Sequence, residues 1–324
     1  VGAPDPMAPT AQSPGLQRER VTEVTSMPKP IVVGVDGSRE SAAAAHWAAR
    51  EALRRGLPLR VVHAWEGLPE TAESESPSEL RAPHYWARRV LRTVLDRLTS
   101  HHPGLYVSAE QIGKPPESAL RAEMDNAELL VLGSRSHSGV GGLFTGSVAL
   151  ATVAHSFCPV ALVRAGCSET DGRLPDGTGS AFPRAPYRDV ALAVDLLRPS
   201  DELLEFAFRA AEYRRAPLRV IHAWHHPHGL GLPDADERAR VRAAVEHALA
   251  EAVAPWREKF PAVYVRETLT EGRPAHEVPK EAGGAGLLVV GHRQRRPRIG
   301  TRTGPVTHAV MRHVTCPVVV VPHA

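Results

Sequence analysis

Val32-Val-Gly-Val-Asp36 recurs as Ala191-Leu-Ala-Val-Asp195, the same apolar run ending on an aspartate 159 positions further along the chain. At that offset Val61-Val-His-Ala-Trp65 returns as Val220-Ile-His-Ala-Trp224, and Gly113-Lys-Pro returns as Gly272-Arg-Pro. Leu129-Leu-Val-Leu-Gly133 matches Leu287-Leu-Val-Val-Gly291, and His155-x-x-Cys-Pro-Val matches His313-x-x-Cys-Pro-Val, both at an offset of 158. Five matches in one order establish a duplication, two copies of one unit fused head to tail.

Within the first copy, nearly continuous Val, Ile and Leu runs at 31–35, 59–64, 105–112, 129–132 and 160–163 alternate with helical patterns. Runs of that kind are strands covered on both faces, so each copy is expected to be an open α/β domain with a mostly parallel five-stranded sheet flanked by helices, Rossmann-like in plan. The first helix is well marked: Ser38 suits an N-cap, 41–55 is Ala-rich, and Gly56 suits the position just past the end. Further helices are expected at about 84–99, 117–126 and 147–157.

Residues 1–28 are Pro-rich without an apolar period and read as a disordered tail that folding does not require. Residues 166–186 read as a linker, giving domains at 29–165 and 187–324. The acidic stretch 66–79 reads as a solvated connecting loop. With 43% hydrophobic and 23% charged residues the chain has an ordinary globular balance, which excludes a fibrous or wholly disordered protein. The net charge of +3 is too small to make nucleic acid the expected partner. Apolar runs are strand-sized, so no membrane span is expected, and no secretory pattern opens the sequence; a cytoplasmic location follows as the expectation. Cys158, Cys167 and Cys316 lack metal-type spacing and fit thiols kept reduced. His63, His222 and the pairs His155/Cys158 and His313/Cys316 fall short of a tetrahedral metal set, so no metal ligands are assigned.

In open parallel sheets a ligand sits beyond the carboxyl ends of the strands, where the strand order reverses. Two segments of the first copy end there: Gly34-Val-Asp36-Gly37-Ser38, and the loop from Gly133-Ser134-Arg135-Ser136 to Gly146-Ser147-Val148. Small residues let backbone N–H groups approach an anion, and a helix opening at Ser147 favours negative charge at its N-terminus. Asp36 suits a ribose or an adenine amino group as acceptor. Glycines after a strand also serve as plain turn residues; the company of Asp36, Gly146 and Ser147 is what favours a phosphate cradle.

The pattern resembles the universal stress protein family, whose ATP-binding members carry Gly-x2-Gly-x9-Gly-Ser/Thr after strand four and an Asp ending strand one. Gly133, Gly146 and Ser147 fall on that pattern, Asp36 on the Asp, and Ala64 where the family's strand-two backbone meets the base. The second glycine is replaced by Ser136. The resemblance spans both copies. It implies an adenine nucleotide α-hydrolase-like fold, ATP with or without Mg as the ligand, an intramolecular pseudo-dimer of the two domains with a homodimer beyond it, and a binding role in stress physiology such as dormancy and hypoxia.

The second copy departs further. Asp195 is followed by Leu196-Leu197 in place of Gly-Ser, the second glycine is Gln294, and the closing Ser/Thr is Pro305, without hydroxyl or N–H. Its loop carries Arg293, Arg295, Arg296, Arg298 and Arg302, read as solvated surface. Nucleotide is therefore expected mainly in the first domain. Two other readings compete, a ligand-free scaffold and an ATP-cleaving enzyme. The second is disfavoured because no Ser-Gly-Gly-x-Asp-Ser loop and no general base stand near the cradle; at most slow hydrolysis is expected.

Overall fold

The first copy builds β1 (Ile31–Gly34), α1 (Arg39–Arg55), β2 (Leu59–Ala64), α2 (Ala82–His101), β3 (Val107–Ile112), α3 (Pro116–Glu123), β4 (Leu129–Ser134), α4 (Ser147–Ala154) and β5 (Val160–Arg164). The second repeats the series as β6 (Val190–Ala193), α5 (Asp201–Arg214), β7 (Leu218–Trp224), α6 (Ala235–Lys259), β8 (Val265–Glu271), α7 (Pro274–Glu281), β9 (Leu287–Arg293), α8 (Pro305–His313) and β10 (Val318–His323). This computed structural model describes residues 2, 28–65, 82–135, 146–168, 170–176, 180, 182–225, 235–294 and 303–324. The tail (except residues 2 and 28), the acidic stretch, Ser136, and Arg295, Arg296, Arg298 and Arg302 lie outside the described residues.

Ser38 caps α1 as its sequence requires, its Oγ accepting the Ser41 N–H at 3.1 Å, and Gly56 ends the helix in the left-handed region at φ 66. Sequence placed the other helix ends less well. The α-helix expected to reach 126 stops at Glu123 and tightens into a 3-10 turn, Met124–Asn126. The helix expected to reach 157 stops at Ala154, because His155 leaves helical geometry (φ −119, ψ 10) and its ring bonds the Ala151 carbonyl at 2.8 Å.

The strand order is β3-β2-β1-β4-β5-β10-β9-β6-β7-β8. All pairs within a copy are parallel; β5 and β10, the last strand of each copy, pair antiparallel with Ala161 opposite Val319. The two expected five-stranded sheets thus merge into one of ten strands. Side-chain alternation splits the central strands between two cores. One face buries Val33, Val131, Val163, Leu192, Val289 and Val319 beneath α1, α2, α5 and α6. The other buries Val32, Leu130, Leu162, Ala191, Val290 and Val320 beneath α3, α4, α7 and α8. Each core runs through both copies without a break at the seam.

A charge cluster also ties the copies together. Glu51 of α1 is fully buried and accepts from Arg54, from Arg55 Nε at 2.8 Å and from Arg214 Nη2 of α5 at 2.6 Å. Arg55 and Arg214 are equivalent positions of the duplication, while the equivalent of Glu51 is Ala210, so one carboxylate serves both arginines across the pseudo-twofold. Burial alone would push the Glu51 carboxyl up, but Arg214, Arg55 and Arg54 outweigh it and hold the group ionised, well below the usual carboxylate range. The segment between the copies is hydrogen-bonded: Arg173 bridges Tyr187, Leu174 N–H donates to the Pro186 carbonyl at 2.8 Å, and the Arg173 guanidinium lies 3.6 Å from the centre of the Tyr187 ring.

Candidate functional site

From β1 the chain proceeds outward through β2 and β3, then returns to place β4 on the other side of β1, so the strand order reverses between β1 and β4. Parallel register (Val33 beside Val131) brings Gly34 and the 36–38 turn next to Gly133, Ser134 and Arg135 at the carboxyl edge. Ala64 ends the neighbouring β2, opposite Ile112. The reversal recurs between β6 and β9 in the second copy.

Asp36 organises the turn after β1. Its Oδ1 accepts the Ser38 N–H at 2.9 Å, and its own N–H donates to Ser41 Oγ at 3.3 Å. Burial pushes the carboxyl up, yet the hydrogen bonds from Ser38 and Ser41 and the charge of Arg135 prevail and keep it below the ordinary value, an acceptor at neutral pH. Gly37 follows with φ 83, a conformation that favours glycine, and Leu196 takes its place in the second copy. His63 Nδ1 lies 2.6 Å from the Val35 carbonyl, and His222 lies 3.0 Å from that of Val194, so both histidines brace the strand-one exit.

The glycines divide into two kinds. A Cβ on Gly133 would sit 2.6 Å from the backbone carbon of Glu40, so this glycine lets α1 press against β4; at Gly34 the same space holds Leu132 and Leu120. Among the described residues a Cβ on Gly146 meets nothing within 4 Å, and its φ of −50 does not require glycine. It is the N-cap of α4, receives no side-chain cap among the described residues, and leaves the exposed Ser147 and the adjoining Val148 to open the helix. Uncapped first-turn N–H groups beside open space can receive an anion. Ser134 is buried, and Ser136, where the departure from the glycine pattern falls, lies outside the described residues.

At the equivalent edge of the second copy lies a cavity of about 1020 Å³ whose rim includes Asp195, Leu196, Leu197, Arg293 and Pro305. Asp195 again accepts from its turn, the Leu197 N–H at 3.1 Å, and Arg293 reaches it at 3.9 Å; in the first copy the charge of Arg135 acts on Asp36. Pro305 is the first residue of α8, so a donor that Ser147 supplies is missing. Gln294 faces the seam: its Nε2 donates to the Ser156 carbonyl of the first copy at 2.9 Å. Sequence reading saw Gln294 only as a lost glycine; nothing in a one-dimensional pattern marks a cross-copy contact.

Among the described residues no group of three or more His, Cys, Asp or Glu is arranged to hold a metal, and no helix is long and apolar enough to cross a membrane. The cysteines are free, and burial pushes the thiols of Cys158 and Cys316 up to about 11 and about 12.

Fold and doubled reversal together define a tandem pair of open α/β units with a strand-order reversal in each copy. The chain belongs to the universal stress protein family, whose model matches residues 27–164 and again 186–322. Among its relatives, universal stress protein Rv2005c of Mycobacterium tuberculosis is 30% identical over 301 residues, covering 90% of this chain and 96% of that protein. A universal stress protein of Mycolicibacterium smegmatis is 31% identical over 307 residues, with 90% and 96% covered. A crystal structure of a universal stress protein from Archaeoglobus fulgidus superposes with a TM-score of 0.61 at 18% identity, covering 91% of this chain and 99% of that one, and so shares the fold.

Proposed function

We propose that the chain is an ATP-binding regulatory member of its family, holding one adenine nucleotide at the β1/β4 reversal of the first copy. The observation that carries this reading is the pairing of an ionised, pre-oriented Asp36 with an α4 N-terminus that, among the described residues, has no side-chain cap and, at Gly146, no atom within reach of an added Cβ. Asp36 supplies an acceptor for the ribose or base beside Ala64; Arg135, Gly146, Ser147 and Val148 supply positive charge and donors for phosphate, which a Mg ion accompanies or not. Binding rather than turnover is the role these groups support, since the carboxylate among them, Asp36, is held by its own turn as a hydrogen-bond acceptor.

The second copy keeps the acceptor and loses the cradle. A charge-assisted hydrogen bond to phosphate contributes about 1.5–3 kcal/mol, so losing the hydroxyl and N–H of Ser147 at Pro305 weakens nucleotide there by roughly a hundredfold or more. Denaturing the purified chain and identifying and counting the nucleotide released tests the reading directly. One ATP per chain is expected, with Asp36→Ala abolishing it and Asp195→Ala leaving it in place. Two per chain, or loss only on changing Asp195, assigns the nucleotide elsewhere; none at millimolar ATP supports a ligand-free scaffold.

A further inference from the structure

The seam between the copies encloses a second cavity, of about 740 Å³, between α1, the turn leaving β5, the connecting segment and the approaches to β9 and β10. It contains none of the residues of either strand-reversal edge. Among the described residues five arginines line it, Arg50, Arg54, Arg164, Arg188 and Arg214, with one acidic residue, Asp171.

Arg50 is engaged within the protein; for the other four, carboxylates among the described residues meet only part of the charge. Arg54 and Arg214 share Glu51 with Arg55, one negative charge for three positive. Arg164 donates to the Met311 carbonyl at 3.1 Å, and Arg188 to the carbonyls of Arg173 at 2.9 Å and Gly284 at 3.4 Å; among the described residues neither meets a carboxylate. Carbonyl dipoles orient a guanidinium without cancelling its charge. Asp171 is itself engaged by the Ser168 N–H. Like charges gathered in a half-enclosed space of low screening repel one another, and an oxyanion from solution relieves that repulsion.

We propose that this cavity binds a small polyanion bearing phosphoryl groups, gripped by Arg164 from the first copy and Arg188 from the approach to the second. Guanidinium forks match phosphoryl oxygens two at a time, and the volume exceeds what a single phosphate fills. Because its walls come from both copies, the ligand acts as a clasp on the seam.

Isothermal titration of the full chain with inorganic pyrophosphate at fixed ionic strength tests the proposal. One site is expected, and it persists in an Asp36→Ala/Gly146→Val background that removes the proposed nucleotide site. Changing Arg164→Gln together with Arg188→Gln weakens binding at least tenfold. Independently of any variant, pyrophosphate slows labelling of Cys167, which lines the cavity, by an anionic disulfide reagent, read by peptide mass spectrometry. Heats that match sodium chloride at equal ionic strength overturn the assignment. So do binding lost in the Asp36→Ala/Gly146→Val background and unprotected Cys167.

Discussion

Gly133 and Gly146 belong to one sequence pattern, and single residues show why pattern and physics must be separated. Gly133→Ala forces a Cβ to within 2.6 Å of the α1 backbone, so a loss of about 1–3 kcal/mol in urea denaturation is expected as helix and strand move apart. Gly146→Ala meets nothing within 4 Å among the described residues and is expected to leave stability within about 0.5 kcal/mol of the parent while weakening ATP. If both lose stability alike, the division fails. Glu51→Gln leaves Arg214 buried without its charge partner, and an apparent loss of about 3–5 kcal/mol in the same assay is expected, with Glu51→Met/Arg214→Met recovering most of it. The sequence showed Asp36, Gly37 and Gly146-Ser147 because short polar and glycine residues at strand ends are rare enough to be read. It hid Glu51, one acidic residue in an Ala-rich helix, because its partner Arg214 stands 163 positions away.

Whole elements were legible where burial is two-sided. β1, β2, β4 and β5 were visible as runs rich in Val, Ile and Leu, whereas β3, at the sheet edge, has only Val107 and Ile112 of that kind among its six residues. Helix ends were less so, as a ring bonding back to a carbonyl at His155 has no sequence signature. The pairing of β5 with β10 makes β10 a central strand, hydrogen-bonded to β9 on its other side. Val319→Pro removes a ladder donor from that strand, and a loss of about 3 kcal/mol or more is expected by calorimetry; an unchanged midpoint would deny the seam its structural weight. The α1/α2 contact adds a pH response. His46 stacks near His101 and His102, with ring centres 5.4 and 5.9 Å away, and faces Arg50 on its own helix and Arg97 on α2. Burial first, then the repulsion of these neighbours, pushes its pKa down. The unfolded chain therefore takes up more protons below the ordinary histidine value of about 6.5, and stability falls as pH drops through that value toward the folded one. A thermal midpoint that declines from pH 7 to 5, with a shallower decline in His46→Gln, is expected.

At the scale of the molecule, duplication was plain in sequence and the resemblance implied an intramolecular pseudo-dimer, but whether the last strand of each copy pairs with the other or across a dimer stayed open, because an apolar strand edge says only that some partner is wanted. The structure supplies that partner within the chain, and the consequence is cooperative. Both cores cross the seam, the β5–β10 ladder joins the sheets, and Glu51 binds α1 to α5, so neither copy can open without stripping apolar surface from the other. Two domains joined only by a linker melt independently; these two are expected to melt in one transition. Ligand linkage makes the expectation sharp. ATP bound as proposed, in the first copy alone, at a hundred times its dissociation constant would stabilise the folded chain by about 2.7 kcal/mol, and coupling would spread that stabilisation to residues far from the nucleotide. Hydrogen exchange should show amides of α5 and β10 gaining protection together with those of α1 and β4, while calorimetry gives a single peak moved upward. Two peaks, with only the lower or the upper responding to ATP, would show that the ten-stranded sheet is a juxtaposition of independent halves.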